Sequence, residues 1–128
     1  MRKEYTESDR TTKVVGLIPA RYHSSRFEGK PLAMISGIPM IQRVYNQSMQ
    51  SKSLASVIVL TDNSDIYDFC LSMRMKCLIV NGDCFTGTDR CAKAIKDIEG
   101  DVFVNIQGDE PLINPEAIDK QANSIKTK

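Results

Sequence analysis

One histidine, no Cys-x-x-Cys pair and a net charge of +1 remove several function classes from this 128-residue chain. The cysteines stand at 70, 77, 84 and 91, seven apart each time. With a single imidazole beside them they match no common zinc spacing. The segment that carries them changes secondary structure along its length, so no helical heptad runs through it. They read as reduced thiols in a reducing compartment. A charge balance near zero argues for neither nucleic acid nor a membrane surface as partner. No apolar run approaches the roughly 20 residues that a bilayer-spanning helix needs. Residues 1–12 are polar and charged and lack the apolar core of a signal peptide, which makes them a flexible N-terminal extension and the cytoplasm the default location. Repeats, low-complexity tracts and linkers are missing as well. Neither the Walker A pattern nor the dinucleotide-binding glycine pattern occurs.

What the chain does contain is an ordinary apolar and charged content, 41% and 26%, in a length sufficient for one domain with a modest core. Strands and helices alternate. Lys13 to Ile18 reads as a strand. Pro39 to Ser51 reads as a helix, with Ile41, Val44, Tyr45 and Ser48 at helical spacing. Ser56 to Thr61 is a second strand. Asn63 or Ser64 caps a helix that runs to about Met73 and sets Ile66, Phe69, Cys70 and Met73 on one face. Lys76 to Val80 is a third strand. Thr88 to Glu99 is a helix with Cys91, Ala94, Ile95 and Ile98 as its stripe, stopped by Gly100. Asp101 to Ile106 is a fourth strand. Asn114 caps a last helix that starts at Pro115 and turns Ile118, Ala122 and Ile125 inward. The six methionines are scattered and read as core filler. Apolar strands separated by amphipathic helices predict an α/β domain with a doubly wound, mostly parallel sheet covered on both faces.

Three stretches carry chemistry. The first is residues 18–32, Ile-Pro-Ala-Arg-Tyr-His-Ser-Ser-Arg-Phe-Glu-Gly-Lys-Pro-Leu, which leave the end of a buried strand. They set Arg21, Arg26 and Lys30 against one carboxylate, Glu28, with Ser24, Ser25 and Gly29 between. Loops at the carboxyl ends of parallel strands are where open α/β sheets bind ligands. Two guanidinium forks and an ammonium suit a polyphosphate. His23 in the same loop reads as a solvated histidine in preference to a catalytic base. The second stretch runs from Val104 to Leu112 and puts Asp109 and Glu110 after Gly108 at another strand end. A carboxylate facing a phosphate loop suggests magnesium, which takes one or two protein carboxylates and fills its shell with water and phosphate oxygens. The same two residues also suit a plain turn before Pro111. The third stretch is Phe85 to Arg90, where Thr86 or Thr88 caps a helix and Asp89 suits its positive end. It is either a capped helix and nothing more, or a set of hydroxyls, amides and Arg90 that contacts a nucleotide base or sugar.

Together these stretches resemble the 3-deoxy-manno-octulosonate (KDO) cytidylyltransferases, also called CMP-KDO synthetases. Residues 18–32 look like that family's opening signature. Thr86-Gly87-Thr88-Asp89-Arg90 is similar to its base-side motif, usually Ser-Gly-Thr-Glu-Arg. Residues 105–113, Asn-Ile-Gln-Gly-Asp-Glu-Pro-Leu-Ile, are similar to its metal-strand motif. Order and spacing agree from about Lys13 to the end. Phe27-Glu28 stands where Leu-Pro is usual. Related sialic-acid cytidylyltransferases continue Ile-Pro-Ala-Arg with Gly-Gly-Ser, and Tyr22-His23-Ser24 fits the KDO branch better.

The resemblance implies a Rossmann variant of the nucleotide-diphospho-sugar transferase kind. It implies transfer of CMP from CTP to the anomeric hydroxyl of 3-deoxy-manno-octulosonate with release of pyrophosphate, a step of lipopolysaccharide biosynthesis. Arg21 and Lys30 then hold the triphosphate, with Ser24, Ser25 and Arg26 beside them. Asp109 binds Mg2+, Gln107 lies near the sugar or metal, and Gly87, Thr88 and Arg90 sit on the cytidine side. Arg21, Lys30 and Asp109 form the catalytic set. The resemblance also implies that residues 13–128 are the N-terminal, CTP-binding part of an enzyme that is a homodimer at full length. More strands, much of the sugar site and a second metal carboxylate belong to the remainder. Two alternatives stand beside this reading. One is a catalytically silent CTP-binding fragment; the other is a cytidylyltransferase for another acidic sugar, such as a sialic-acid-like or amino-KDO substrate.

Overall fold

The computed structural model describes residues 12–21, 30–32, 34–35, 37–81, 87–108 and 113–126. Of the extension expected over 1–12, only Thr12 falls among them. The organising element is strand β1, Val14–Ala20, buried at every position except the half-buried Pro19. A strand buried on both faces must be apolar almost continuously, and this one is. Strand β4, Ser56–Thr61, pairs parallel on one side of it, with Leu17 opposite Ile58. Strand β6, Val102–Asn105, pairs parallel on the other, with Val15 opposite Phe103. Strand β5, Cys77–Ile79, pairs parallel with β4, so the four-stranded order is β5-β4-β1-β6.

Helix α1 (Met40–Ser48), helix α2 (Ser64–Ser72) and helix α4 (Pro115–Lys126) pack on one face. They bury Ile41, Val44, Ile66, Cys70, Ile118 and Ala122 against Ile18, Val57, Val59 and Val104. Helix α3, Gly87–Ala94, covers the other face through Cys91 and Ala94 on Val15, Leu17, Leu60 and Val80. Helices on both faces of an all-parallel sheet make the expected doubly wound α/β architecture. Asn63 caps α2 by accepting from the backbone N–H groups of Asp65 and Ile66 at 2.8 and 3.0 Å. Asn114 accepts from Glu116 at 2.9 Å at the start of α4. Both caps fall where the sequence puts them.

Several expectations shift. A one-turn 3-10 helix, Lys30–Leu32, and a short antiparallel hairpin, β2 (Met34–Ile35) with β3 (Ile38–Pro39), precede α1. Gly37 turns that hairpin at φ 82°, a left-handed conformation suited to glycine. Pro39 pairs with Met34 in the hairpin, so α1 starts at Met40 and stops at Ser48, short of the Ser51 expected. The helix expected over 88–99 ends at Ala94 and tightens to a 3-10 turn over Ile95–Asp97. That change of pitch rotates the apolar stripe, and Ile95 comes out 37% exposed instead of buried. The methionines are not core filler as a group. Met34, Met49 and Met73 are exposed, at the hairpin and just past the ends of α1 and α2, and Met75 is buried.

Among the described residues Cys70, Cys77 and Cys91 are free and buried; Cys84 lies outside them. Burial pushes the Cys91 thiol up to about 11. Cys70 and Cys77 share a hydrogen bond, which lowers Cys70 and raises Cys77. No helix among the described residues is long and apolar enough to cross a membrane.

Candidate functional site

The chain steps from β1 to β4 to β5 and then crosses back to lay β6 on the far side of β1. Strand order therefore reverses at β1–β6, and the carboxyl ends of these two strands are where such sheets hold ligands. Two of the three sequence stretches meet there. The Ile106 N–H donates to the Leu17 carbonyl at 2.8 Å, which carries the β1–β6 pairing one residue past β6. Gly108 then lies so close to β1 that an added Cβ would stand 2.7 Å from the Pro19 carbonyl oxygen. Only a residue without a Cβ allows that approach without a shift. Two residues beyond Pro19, Arg21 is exposed at the exit of β1, and Gln107 is exposed at the exit of β6. On α1, Gln47 Nε2 donates to the Ile113 carbonyl at 2.8 Å.

The third stretch arrives from the opposite face. Arg90 on α3 is 2% exposed. Its Nη1 donates to the Val80 carbonyl at 2.7 Å, and its Nη2 lies 3.5 Å from Asp62 Oδ2. The Val80 N–H donates to the Thr61 carbonyl at 2.7 Å, so the exits of β4 and β5 are themselves joined. Lys93 Nζ donates to the Asn81 carbonyl one residue on. Arg90, expected to contact a base or sugar, is turned inward here. A buried guanidinium needs acceptors, and the Val80 carbonyl and Asp62 supply them.

Among the residues expected at the site, Arg21, Gln107 and Arg90 are described, as are the backbones of Lys30, Gly87 and Thr88. Thr88 lies inside α3, which begins at Gly87, and so is not its cap. Ser24, Ser25, Arg26, His23, Thr86, Asp109 and Glu110 lie outside the described residues. Among the described residues no group of three or more His, Cys, Asp or Glu side chains could hold a metal. Sequence reasoning passed over Asp62 and Gln47. Asp62 had a usable signal, an acidic residue directly after a buried strand, but Asn63 next to it was read only as a cap. Gln47 had none, because its partner is a backbone carbonyl 66 residues away.

A shallow groove of about 410 Å3 opens at the other end of the sheet, lined by Ile58, Leu78 and Ile98 between Lys13 and Lys76. It lies at the amino ends of the strands, away from the residues above.

Residues 15–128 match the family model for cytidylyltransferases. The chain belongs to the cytidylyltransferase family. It is 49% identical over 117 residues to a mitochondrial 3-deoxy-manno-octulosonate cytidylyltransferase of Arabidopsis thaliana, which covers 90% of this chain and 40% of that protein. A 3-deoxy-manno-octulosonate cytidylyltransferase of Bdellovibrio bacteriovorus is 47% identical over 110 residues, 86% of this chain and 44% of that protein. A solved structure of CMP:2-keto-3-deoxy-manno-octonic acid synthetase complexed with CTP superposes with a TM-score of 0.88 at 38% identity, over 91% of this chain and 48% of the other. The chain thus spans a little under half the length of the relatives it matches.

Proposed function

We propose that this chain forms the CTP-binding part of a 3-deoxy-manno-octulosonate cytidylyltransferase. The reaction forms a bond between the anomeric oxygen of the sugar and the α-phosphorus of CTP, and breaks the bond to the departing pyrophosphate. The observation that carries the reading is the contact of Gly108 with the Pro19 carbonyl. It sets the exit of β6, which leads into Asp109, against the exit of β1, which leads into Arg21, in a chain whose residues 15–128 match the family.

The protein's share of the work follows from charge. Phosphoryl transfer needs positioning and neutralisation more than covalent help. Arg21 and Lys30 hold the triphosphate, with Ser24, Ser25 and Arg26 alongside. Lys30 also balances the charge that grows on pyrophosphate as it leaves. Gly87 and Thr88 sit on the cytidine side, and Arg90 supports them from inside the protein. Gln107 lies near the sugar or the metal.

A single carboxylate at a strand exit opposite a phosphate loop is a donor set that fits Mg2+, which prefers few protein ligands and completes its shell from phosphate and water. Asp109 holds it in this reading. Bound there, the ion would supply charge neutralisation of the phosphates and make the attacking hydroxyl more acidic. The free thiols of Cys70, Cys77 and Cys91 suit a reducing compartment such as the cytoplasm.

The test is Mg-CTP binding measured by calorimetry, beside Asp109→Asn. Binding by the parent and its weakening in Asp109→Asn is the expected result. Equal binding by both sinks the metal assignment. A folded chain that does not bind Mg-CTP sinks the function.

A further inference from the structure

We infer that Asp62 is a positioning residue for the nucleoside side of the site, acting through the buried guanidinium of Arg90. The inference rests on the reading of the chain as a CTP-binding protein. Asp62 follows β4 directly, and its carboxylate is the charged partner of an arginine that is 2% exposed. The Arg90 Nε is buried with no hydrogen-bond partner among the described residues. Among the described residues, the Val80 carbonyl and Asp62 are therefore what orient the fork. A planar guanidinium held at two nitrogens has one orientation; held at one, it can swing.

The consequence is local. Arg90 stands three residues after Gly87, the first residue of α3, while Val80 and Asn81 lie just before the segment that leads into that helix. Arg90 and Lys93 both donate to that strand exit, at Val80 and Asn81. Asp62 extends the tie to the exit of β4. The start of α3, with Gly87 and Thr88, is thereby set relative to the two neighbouring strand ends. Arg21 directly follows β1 and Lys30 opens the 3-10 turn before the hairpin, on segments other than those that Asp62 and Arg90 join. An altered Asp62 should then disturb recognition of the nucleoside and spare that of the phosphates.

That separation supplies a readout a merely structural role would not move. Binding of Mg-CTP and of magnesium with inorganic tripolyphosphate is measured by calorimetry on the full chain, for the parent, Asp62→Asn and Asp62→Glu. Asp62→Asn keeps the size and removes the charge; Asp62→Glu keeps the charge. The expected result is CTP affinity weakened about tenfold in Asp62→Asn and about threefold in Asp62→Glu, with tripolyphosphate affinity unchanged within about twofold. If Asp62→Asn does not fold, Asp62→Glu decides: a loss for CTP alone supports the role. Equal losses for both ligands, or no loss for either, overturn it. A parent chain that binds neither ligand overturns the CTP reading itself, and the positioning role with it, which is a different outcome from a parent that binds and a variant that does not differ.

Discussion

Two ion pairs stand at opposite ends of the same sheet and differ in almost everything but chemistry. At the carboxyl end, Arg90 and Asp62 pair with side chains 2% and 38% exposed. At the amino end, Lys13 Nζ lies 3.6 Å from Glu99 Oε1 with side chains 41% and 93% exposed. Water screens the second pair, and both long side chains lose rotamer freedom to make it, so its net contribution is small. The first pair has an arginine that cannot return to water without opening the fold. Removing its partner leaves a charge in a poorly solvated place. The backbone repeats the contrast. At the amino end the Lys13 N–H donates to Asp101 Oδ2 at 2.7 Å in an exposed position. At the carboxyl end Gly108 is pressed on the Pro19 carbonyl with no room for a methyl group. The buried ion pair and the backbone-on-backbone contact of Gly108 both lie at the end where the ligand is proposed to bind.

Arg90→Ala gives the largest effect that this comparison predicts. It leaves the Val80 carbonyl and Asp62 without their donor and a void in their midst. The expected loss is about 3 kcal/mol of unfolding free energy in urea titration. A loss no larger than that of an exposed charge variant would erase the distinction between the two ends. Gly108→Ala comes next, since its Cβ meets a backbone oxygen that has no rotamer to yield. About 2 kcal/mol of destabilisation is expected, together with weaker Mg-CTP binding, because the β1 and β6 exits must part. Unchanged binding would show that their separation does not matter.

A smaller effect belongs to Asp119 on α4, which accepts from Ser51 Oγ and, at 3.1 Å, from the Ser53 N–H in the connection before β4. The Ser51 hydroxyl bond leads in holding its carboxyl below the ordinary carboxylate range, and burial opposes it only partly. A lowered folded pKa means that the stabilisation is complete above the unfolded carboxylate value. It is lost as pH falls through the folded one. Asp119→Asn should therefore cost about 1 kcal/mol near neutrality and flatten the acid limb of the stability profile below about pH 4. An acid limb identical in parent and variant refutes the assignment. The smallest effect is that of Glu99→Gln, with a urea midpoint indistinguishable from the parent and no sensitivity to salt.

Much of this molecule could be read without coordinates. The strand Ser56–Thr61, the helix starts at Asn63 and Asn114 and the alternation that produces a parallel sheet all rest on local chemistry: β-branched runs, side-chain caps and a proline in the first turn. The hairpin before α1 was not readable, because Met34–Ile35 and Ile38–Pro39 are too short to carry a period. The bend of helix α3 into a 3-10 turn at Ile95 was not readable either, since its apolar spacing continues helical through Ile98.

The sequence by itself determined the fold class, the family and the identity of the three chemical stretches, because each depends on residues within about a dozen positions of one another. Only the tertiary structure decided which strand exits touch, that Gly108 seats against the Pro19 carbonyl, and that Arg90 faces inward toward Asp62 and Val80. The Asp62–Arg90 and Pro19–Gly108 relations join residues 28 and 89 positions apart. They arise from strand order and burial, which no local pattern of residues encodes.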